Sequence, residues 1–322
     1  MMAPRTFPTQ FPKGMLDAQC PCGGTRKLRL CCHSPLDGHI RPPMPNLAPP
    51  SPVTGYAHPK CYISFTRDCC GSISGEHYVS RSVLDAMGKD IIVSGMPWQR
   101  DGESATYGKG SMTANVLCRK HNSVLSPIDI AAERFFSSMN FFAAQLNKKT
   151  WSKRISIRVI RGELLELWAL KTLLGIFHAG IARSDGVRLK DGFSLRPESF
   201  GAPLAGTPVK HPLGMYVRSA LNHRFQIENS VAMAPLTSNP GSDVIGLWIK
   251  MAGQDIKFFF EKATVDFAGI EREHTYRPTD LNFVSAEPVD ERLFVFKLAW
   301  GSALPKPITF TQEIAAQSAI PQ

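Results

Sequence analysis

The chain has 322 residues, 43% of them apolar, with 37 Lys and Arg against 27 Asp and Glu, giving a net charge of +10 and a pI of about 9.3. This is enough apolar material for a sizeable core and enough length for two or three folded units. The basic surplus favours a polyanionic partner, most often nucleic acid. The longest apolar stretch, Glu163 to Ala182, carries Glu163, Glu166, Lys171 and His178, which excludes a membrane span and points to a buried helix.

The N-terminus, MMAPRTFPTQFPKGML, lacks the apolar core of a secretory signal, and residues 1–19 read as a loose leader. A soluble, cytoplasmic protein is expected, with no membrane partner. Residues 1–60 hold seven basic and two acidic side chains, so the positive charge is concentrated there. All eight cysteines lie before residue 119. In a reducing compartment, tightly spaced cysteines signal metal sites more often than disulfides.

Cys20-Pro21-Cys22-Gly23 is followed after eight residues by Cys31-Cys32. Zinc takes four soft ligands tetrahedrally, and one short hairpin can supply Cys20, Cys22, Cys31 and Cys32. His33 is an alternative to Cys32. Gly23 and Gly24 allow a tight turn under the metal. Arg26, Lys27 and Arg29 offset thiolate charge. Residues 20–33 resemble the SEC-C motif, a zinc module at protein termini. That resemblance implies an adaptor role toward protein or nucleic acid, and no chemistry.

Residues 41–59 contain seven prolines and read as a semi-rigid linker. Beyond it, Cys61, Cys69-Cys70 and Cys118-x-x-His121 offer five candidates for a second four-ligand zinc site. Residues 85–112, rich in Gly and Ser, read as an inserted loop or irregular hairpin. Ser126-Pro127-x-Asp129 marks a helix start, with Ser126 as cap, Pro127 at the first position and Asp129 at the positive end of the dipole. Ile128, Ala131, Ala132, Phe135, Phe136, Met139, Ala143 and Leu146 follow at helical spacing as a core stripe.

Residues 161–178 form a second helix, apolar on most sides. Gly- and Pro-rich loops occupy 184–214. Strands are expected at 215–220, 224–233, 244–251, 256–262 and 293–299, with turns at Asn239-Pro240-Gly241 and Gly253-Gln254-Asp255.

Between the two halves of the second Cys/His set lies Ser74-Gly75-Glu76-His77-Tyr78-Val79-Ser80, and Asn115-Val116-Leu117-Cys118-Arg119-Lys120-His121-Asn122 follows the insert. Together they resemble the HNH nuclease signature over about residues 60–147. The resemblance implies a ββα-metal fold and phosphodiester hydrolysis, in DNA more readily than RNA. It makes His77 the general base, with Asn115 orienting it, and gives Glu76 and Asn122 to a catalytic Mg²⁺ or Mn²⁺. Its Asp-Cys pattern selects Cys61, Cys69, Cys118 and His121 as zinc ligands and leaves Cys70 spare. Arg81, Arg119 and Lys120 are candidates for phosphate contact.

The expected class is α+β, with two structural Zn²⁺. Residues 1–40 form the SEC-C-like module, 41–59 the linker and 60–150 the HNH-like domain. Residues 151–322 form an α+β domain with a mainly antiparallel sheet and no motif that assigns a role. The rival expectation is a non-catalytic, zinc-scaffolded protein that binds nucleic acid, or a protein partner through the SEC-C-like tail.

Overall fold

In chain order, β1 (Ile73–His77) leads to the short α1 (Arg81–Ala86), the strands β2 (Ile91–Ser94) and β3 (Ser104–Tyr107), then β4 (Thr113–Cys118) and the long α2 (Arg119–Leu146). After these come β5 (Ile155–Arg161), α3 (Gly162–His178), the two-residue strands β6 (Arg183–Ser184) and β7 (Val187–Arg188), and α4 (Leu189–Gly192). The remainder adds β8 (Gly214–Arg218), β9 (Arg224–Phe225), β10 (Ser230–Thr237), β11 (Val244–Met251), β12 (Gln254–Phe259), α5 (Phe267–Glu273), β13 (His274–Tyr276), β14 (Asp280–Ser285), β15 (Leu293–Ala299) and β16 (Thr309–Ile314). This computed structural model describes residues 14–33, 40–86, 91–94, 103–107, 112–146, 155–181, 183–184, 187–196, 200–218, 224–225, 230–238, 243–251, 254–262, 265–285, 292–301 and 309–314. The expected turn at Asn239-Pro240-Gly241, Gly253 and most of the N-terminal leader lie outside those residues.

The architecture is mixed α+β. β1 and β4 form an antiparallel hairpin that runs directly into α2. A seven-stranded sheet, ordered β13-β8-β12-β11-β10-β2-β3, is antiparallel in every pairing except β10 with β2. The five-stranded sheet β5-β15-β14-β16-β9 departs from the expected mainly antiparallel pattern. Only β14–β15 is antiparallel there, and the other three pairings are parallel. Its interior strand β15, Leu-Phe-Val-Phe-Lys-Leu-Ala, is buried at six of seven positions, the near-continuous apolar run of a strand covered on both faces.

The expected strand at 224–233 is instead two, β9 and β10, in different sheets. The insert at 85–112 supplies β2 and β3, which extend the seven-stranded sheet rather than the β1–β4 hairpin. Together with a hydrophobic cluster running from Cys61 to Trp300, this joins residues 60–150 to the C-terminal region in one core.

The expected helix start at Ser126 is corrected: α2 begins at Arg119 and passes through Pro127. A proline there removes the N–H that would bond to the carbonyl of Ser123. The Ser126 hydroxyl donates to that carbonyl at 2.9 Å, so the acceptor keeps a partner. Asp129 consequently sits nearly three turns inside the helix and has a different role. The stripe from Ile128 through Met139 is buried as the periodicity requires, extending to Phe142, whose ring lies 4.4 Å from that of Phe294.

α3 is buried at every position from Leu164 to Phe177. Gly162 opens it because the Trp300 ring lies where any Cβ would stand. Two charged residues inside this apolar helix have buried partners, as burial demands. Glu166 takes a bidentate pair from Arg277 at 2.8 Å and accepts from the Met215 N–H, fixing α3 to β8. Lys171 reaches the β1–β4 hairpin. Among the described residues, no helix is long and apolar enough to cross a membrane.

Candidate metal centres and the acid cluster

The first Cys cluster is built locally. The Cys20 N–H donates to Arg26 at 2.9 Å, and the Cys31 and Cys32 N–H groups both donate to Leu28 at 3.1 Å, closing a hairpin over buried Leu28. Gly23 adopts the left-handed region, with φ at +85°, which turns the chain under the sulfurs. The Cys20, Cys22, Cys31 and Cys32 sulfurs lie within 4.8 Å of one another. Cys22–Cys31 and Cys31–Cys32 are 3.6 and 3.7 Å apart. A zinc tetrahedron with Zn–S of about 2.3 Å has edges of about 3.8 Å, so the donor set fits. His33 is not in the cluster and pairs in an isolated bridge with Ile40.

This module docks on the rest of the chain. Arg134 of α2 donates to the Cys22 carbonyl at 2.7 Å, and the Val159 N–H donates to Pro21 at 3.3 Å. The proline-rich segment is also laid down along the protein. The Pro42 carbonyl accepts from Arg161, the Thr54 N–H donates to Asp68, and the Pro52 carbonyl accepts from Lys120.

The second cluster is assembled from distant segments. Cys61 precedes a 3₁₀ turn at Ser64–Thr66, Cys69 follows it, Cys118 ends β4 and His121 lies in the first turn of α2. All four are buried and their donor atoms lie within 4.8 Å. His121 Nδ1 is 3.6, 3.7 and 3.2 Å from the sulfurs of Cys61, Cys69 and Cys118. The Thr66 hydroxyl donates to the Ile63 carbonyl at 2.9 Å, and its oxygen lies 3.1 Å from His121 Nε2. Thr66 therefore accepts the Nε2 proton, which leaves Nδ1 unprotonated toward the sulfurs, the tautomer a metal ligand needs.

Burial pushes the Cys61 thiol up to about 12 and the Cys20 thiol up to about 11. A cation is what makes such buried thiolates favourable. Both donor sets can hold a metal ion and are compatible with structural zinc. Cys70 stands apart, accepting from the Lys120 N–H at 3.3 Å.

The residues expected to act on phosphodiesters are distributed less simply. β1 and β4 pair with Glu76 opposite Ala114 and His77 opposite Thr113. His77 lies outside the zinc-compatible set and is half-buried. Burial, and secondarily Arg81, lowers its pKa, so the imidazole is neutral near pH 7. Asn115 is exposed, its oxygen turned toward Gly75, and among the described residues it makes no hydrogen bond to His77. Arg81 is exposed and pairs loosely with Asp85 at 3.9 Å, and Arg119 is exposed at the start of α2. Lys120 is mostly buried and committed to Asp68 at 2.5 Å, so it serves as a structural tie rather than a phosphate contact.

Glu76 is 6% exposed and receives a hydrogen bond from Asn122, so the two expected metal ligands do converge. The cation they meet is Lys171. Its ammonium contacts Glu76 and lies 2.7 and 2.9 Å from the two carboxylate oxygens of Asp129. The Ser80 hydroxyl donates to Asp129, and the Trp168 indole donates to Ser80 at 2.9 Å. Burial raises the Glu76 pKa against the pull of Lys171. Two carboxylates outweigh desolvation at Lys171 and raise its pKa, so it stays charged. A divalent ion of the Mg²⁺ kind needs about six oxygen donors and room for water. Glu76 is buried, Asp129 is largely covered, and both are already neutralised by Lys171, so the residues as placed do not fit that ion.

Lys171 and Asp129 are the residues missed at the sequence level. The available signal was a lysine within an otherwise apolar helix, which requires a buried acid somewhere. No protein-family model, curated protein or solved structure matches this chain.

Proposed function

We propose that the chain is a nucleic-acid-binding protein built on two zinc-stabilised modules. Residues 60–146 are read as an HNH-like ββα scaffold that does not use the metal chemistry of that family. The observation that carries this reading is the β1–β4 hairpin running into α2 over the Cys61, Cys69, Cys118 and His121 donors, with Lys171 seated on Glu76. Exposed Arg81 and Arg119, at the first positions of the helices that follow the two strands, and the net charge of +10 supply phosphate-attracting groups.

A second reading, HNH-type endonuclease activity with His77 as general base, is favoured by one observation: His77 is neutral and stands outside the zinc-compatible cluster. One pair of assays separates the two. Purified protein is titrated with duplex DNA and with structured RNA across a salt series, and is incubated with plasmid in Mg²⁺, Mn²⁺ or EDTA. Expected is salt-sensitive binding, with a log–log slope that falls by about one unit in Arg119→Ala, and no metal-dependent nicking. Salt-independent or absent binding overturns the nucleic-acid reading in favour of a protein adaptor. EDTA-sensitive nicking, lost in His77→Ala with zinc content retained, replaces it with the nuclease.

A further inference from the structure

The acid cluster contains more oxygen than a single lysine uses. Asn122 and Asp129 are seven residues apart on α2, two turns, and so share a face. Glu76 approaches from β1, and Lys171 enters from α3, three residues after Trp168 and on the same side of that helix. Tyr62 is 8% exposed, its hydroxyl has no hydrogen-bond partner among the described residues, and burial first, then the charges of Glu76 and Asp129, raise its pKa. The site therefore presents two carboxylates and a carboxamide, with one ammonium 4% exposed among them.

We propose that Lys171 is the permanent, built-in cation of a latent divalent-metal site formed by Glu76, Asn122 and Asp129. In the native chain the ammonium excludes Mg²⁺ and Mn²⁺ and pins α3, and through it both C-terminal sheets, to the β1–β4 hairpin. Two carboxylates converging on one buried point require positive charge there, because their mutual repulsion and desolvation are otherwise uncompensated. A lysine supplies it irreversibly, without dependence on metal supply. Removing that lysine leaves the oxygen donors with the demand unmet, and a small divalent ion is the chemical class that meets it. This deepens the reading of a metal-free HNH-like hairpin and rests on it, while its readout does not involve nucleic acid.

The test is Mn²⁺ titration of the full-length, zinc-loaded protein, with free Mn²⁺ followed by electron paramagnetic resonance. Wild type and Lys171→Arg should leave the free-ion signal unchanged. Lys171→Ala should take up one Mn²⁺ per chain at least about tenfold more tightly than wild type, equivalent to about 1.4 kcal/mol. The added substitution Asp129→Asn should abolish that gain. If Lys171→Ala does not fold, Lys171→Met keeps the apolar stem and replaces it. Wild-type uptake of one Mn²⁺ at a site lost in Glu76→Gln overturns the proposal, and so does a folded Lys171 variant that takes up none. Either result leaves the nucleic-acid reading to be judged by its own salt series, since a protein can bind phosphates whether or not this cluster holds a metal.

Discussion

The two Cys clusters have similar donor geometry but differ in what depends on them. The first is closed by a fourteen-residue hairpin, Cys20 to His33, around one buried leucine, and touches the remainder of the chain through Arg134 and Val159. The second draws Cys61, Cys69, Cys118 and His121 from segments up to 60 residues apart, and three of its four ligands belong to the main hydrophobic cluster. A local site orders itself; a non-local site also fixes the register in which distant segments meet. The same ion therefore carries different structural weight in the two places.

The largest expected difference follows from this. Cys118→Ser should unfold residues 60–146 and much of the shared core, because structural metal binding is folding free energy. Cys22→Ser should lose one zinc while the main thermal transition persists. Elemental analysis and calorimetry of both variants measure it, and similar losses of the main transition would remove the distinction.

A smaller effect sharpens it. Thr66 fixes the His121 tautomer, and the all-thiolate first cluster has no counterpart to that contact. Thr66→Val should weaken zinc at the second site about 10- to 100-fold, measured by chelator competition, while the first site is unchanged. Unaltered affinity at the second site would mean that Thr66 does not set the tautomer.

The smallest effect concerns docking. Arg134→Ala removes a charge-assisted hydrogen bond to the Cys22 carbonyl and should cost about 1.5–3 kcal/mol or less, appearing as faster amide exchange in residues 15–33 with both zincs retained. Exchange protection equal to wild type would show that the module is held by its other contacts alone.

The sequence by itself determined the parts that depend on short spacing. Cys20, Cys22, Cys31 and Cys32 are legible because one hairpin supplies a full tetrahedral set. The boundaries of α3 and the strands 244–251 and 293–299 are legible because their apolar patterns are long and uninterrupted. The start of α2 was misread because Ser-Pro-x-Asp has the form of a cap, and only the structure shows Ser126 repairing the gap at Pro127. The resemblance gave Glu76 and Asn122 to a catalytic metal, whereas the cation seated on Glu76 in the structure is Lys171. Lys171 comes from an element 95 residues beyond Glu76, and a buried ammonium declares only that it needs acids, not which ones. The sheet order, the strands of the insert joining the C-terminal sheet, and the filling of the acid cluster by lysine were decided by tertiary structure, because each is a pairing between distant segments whose energy exists only after the core has closed around them.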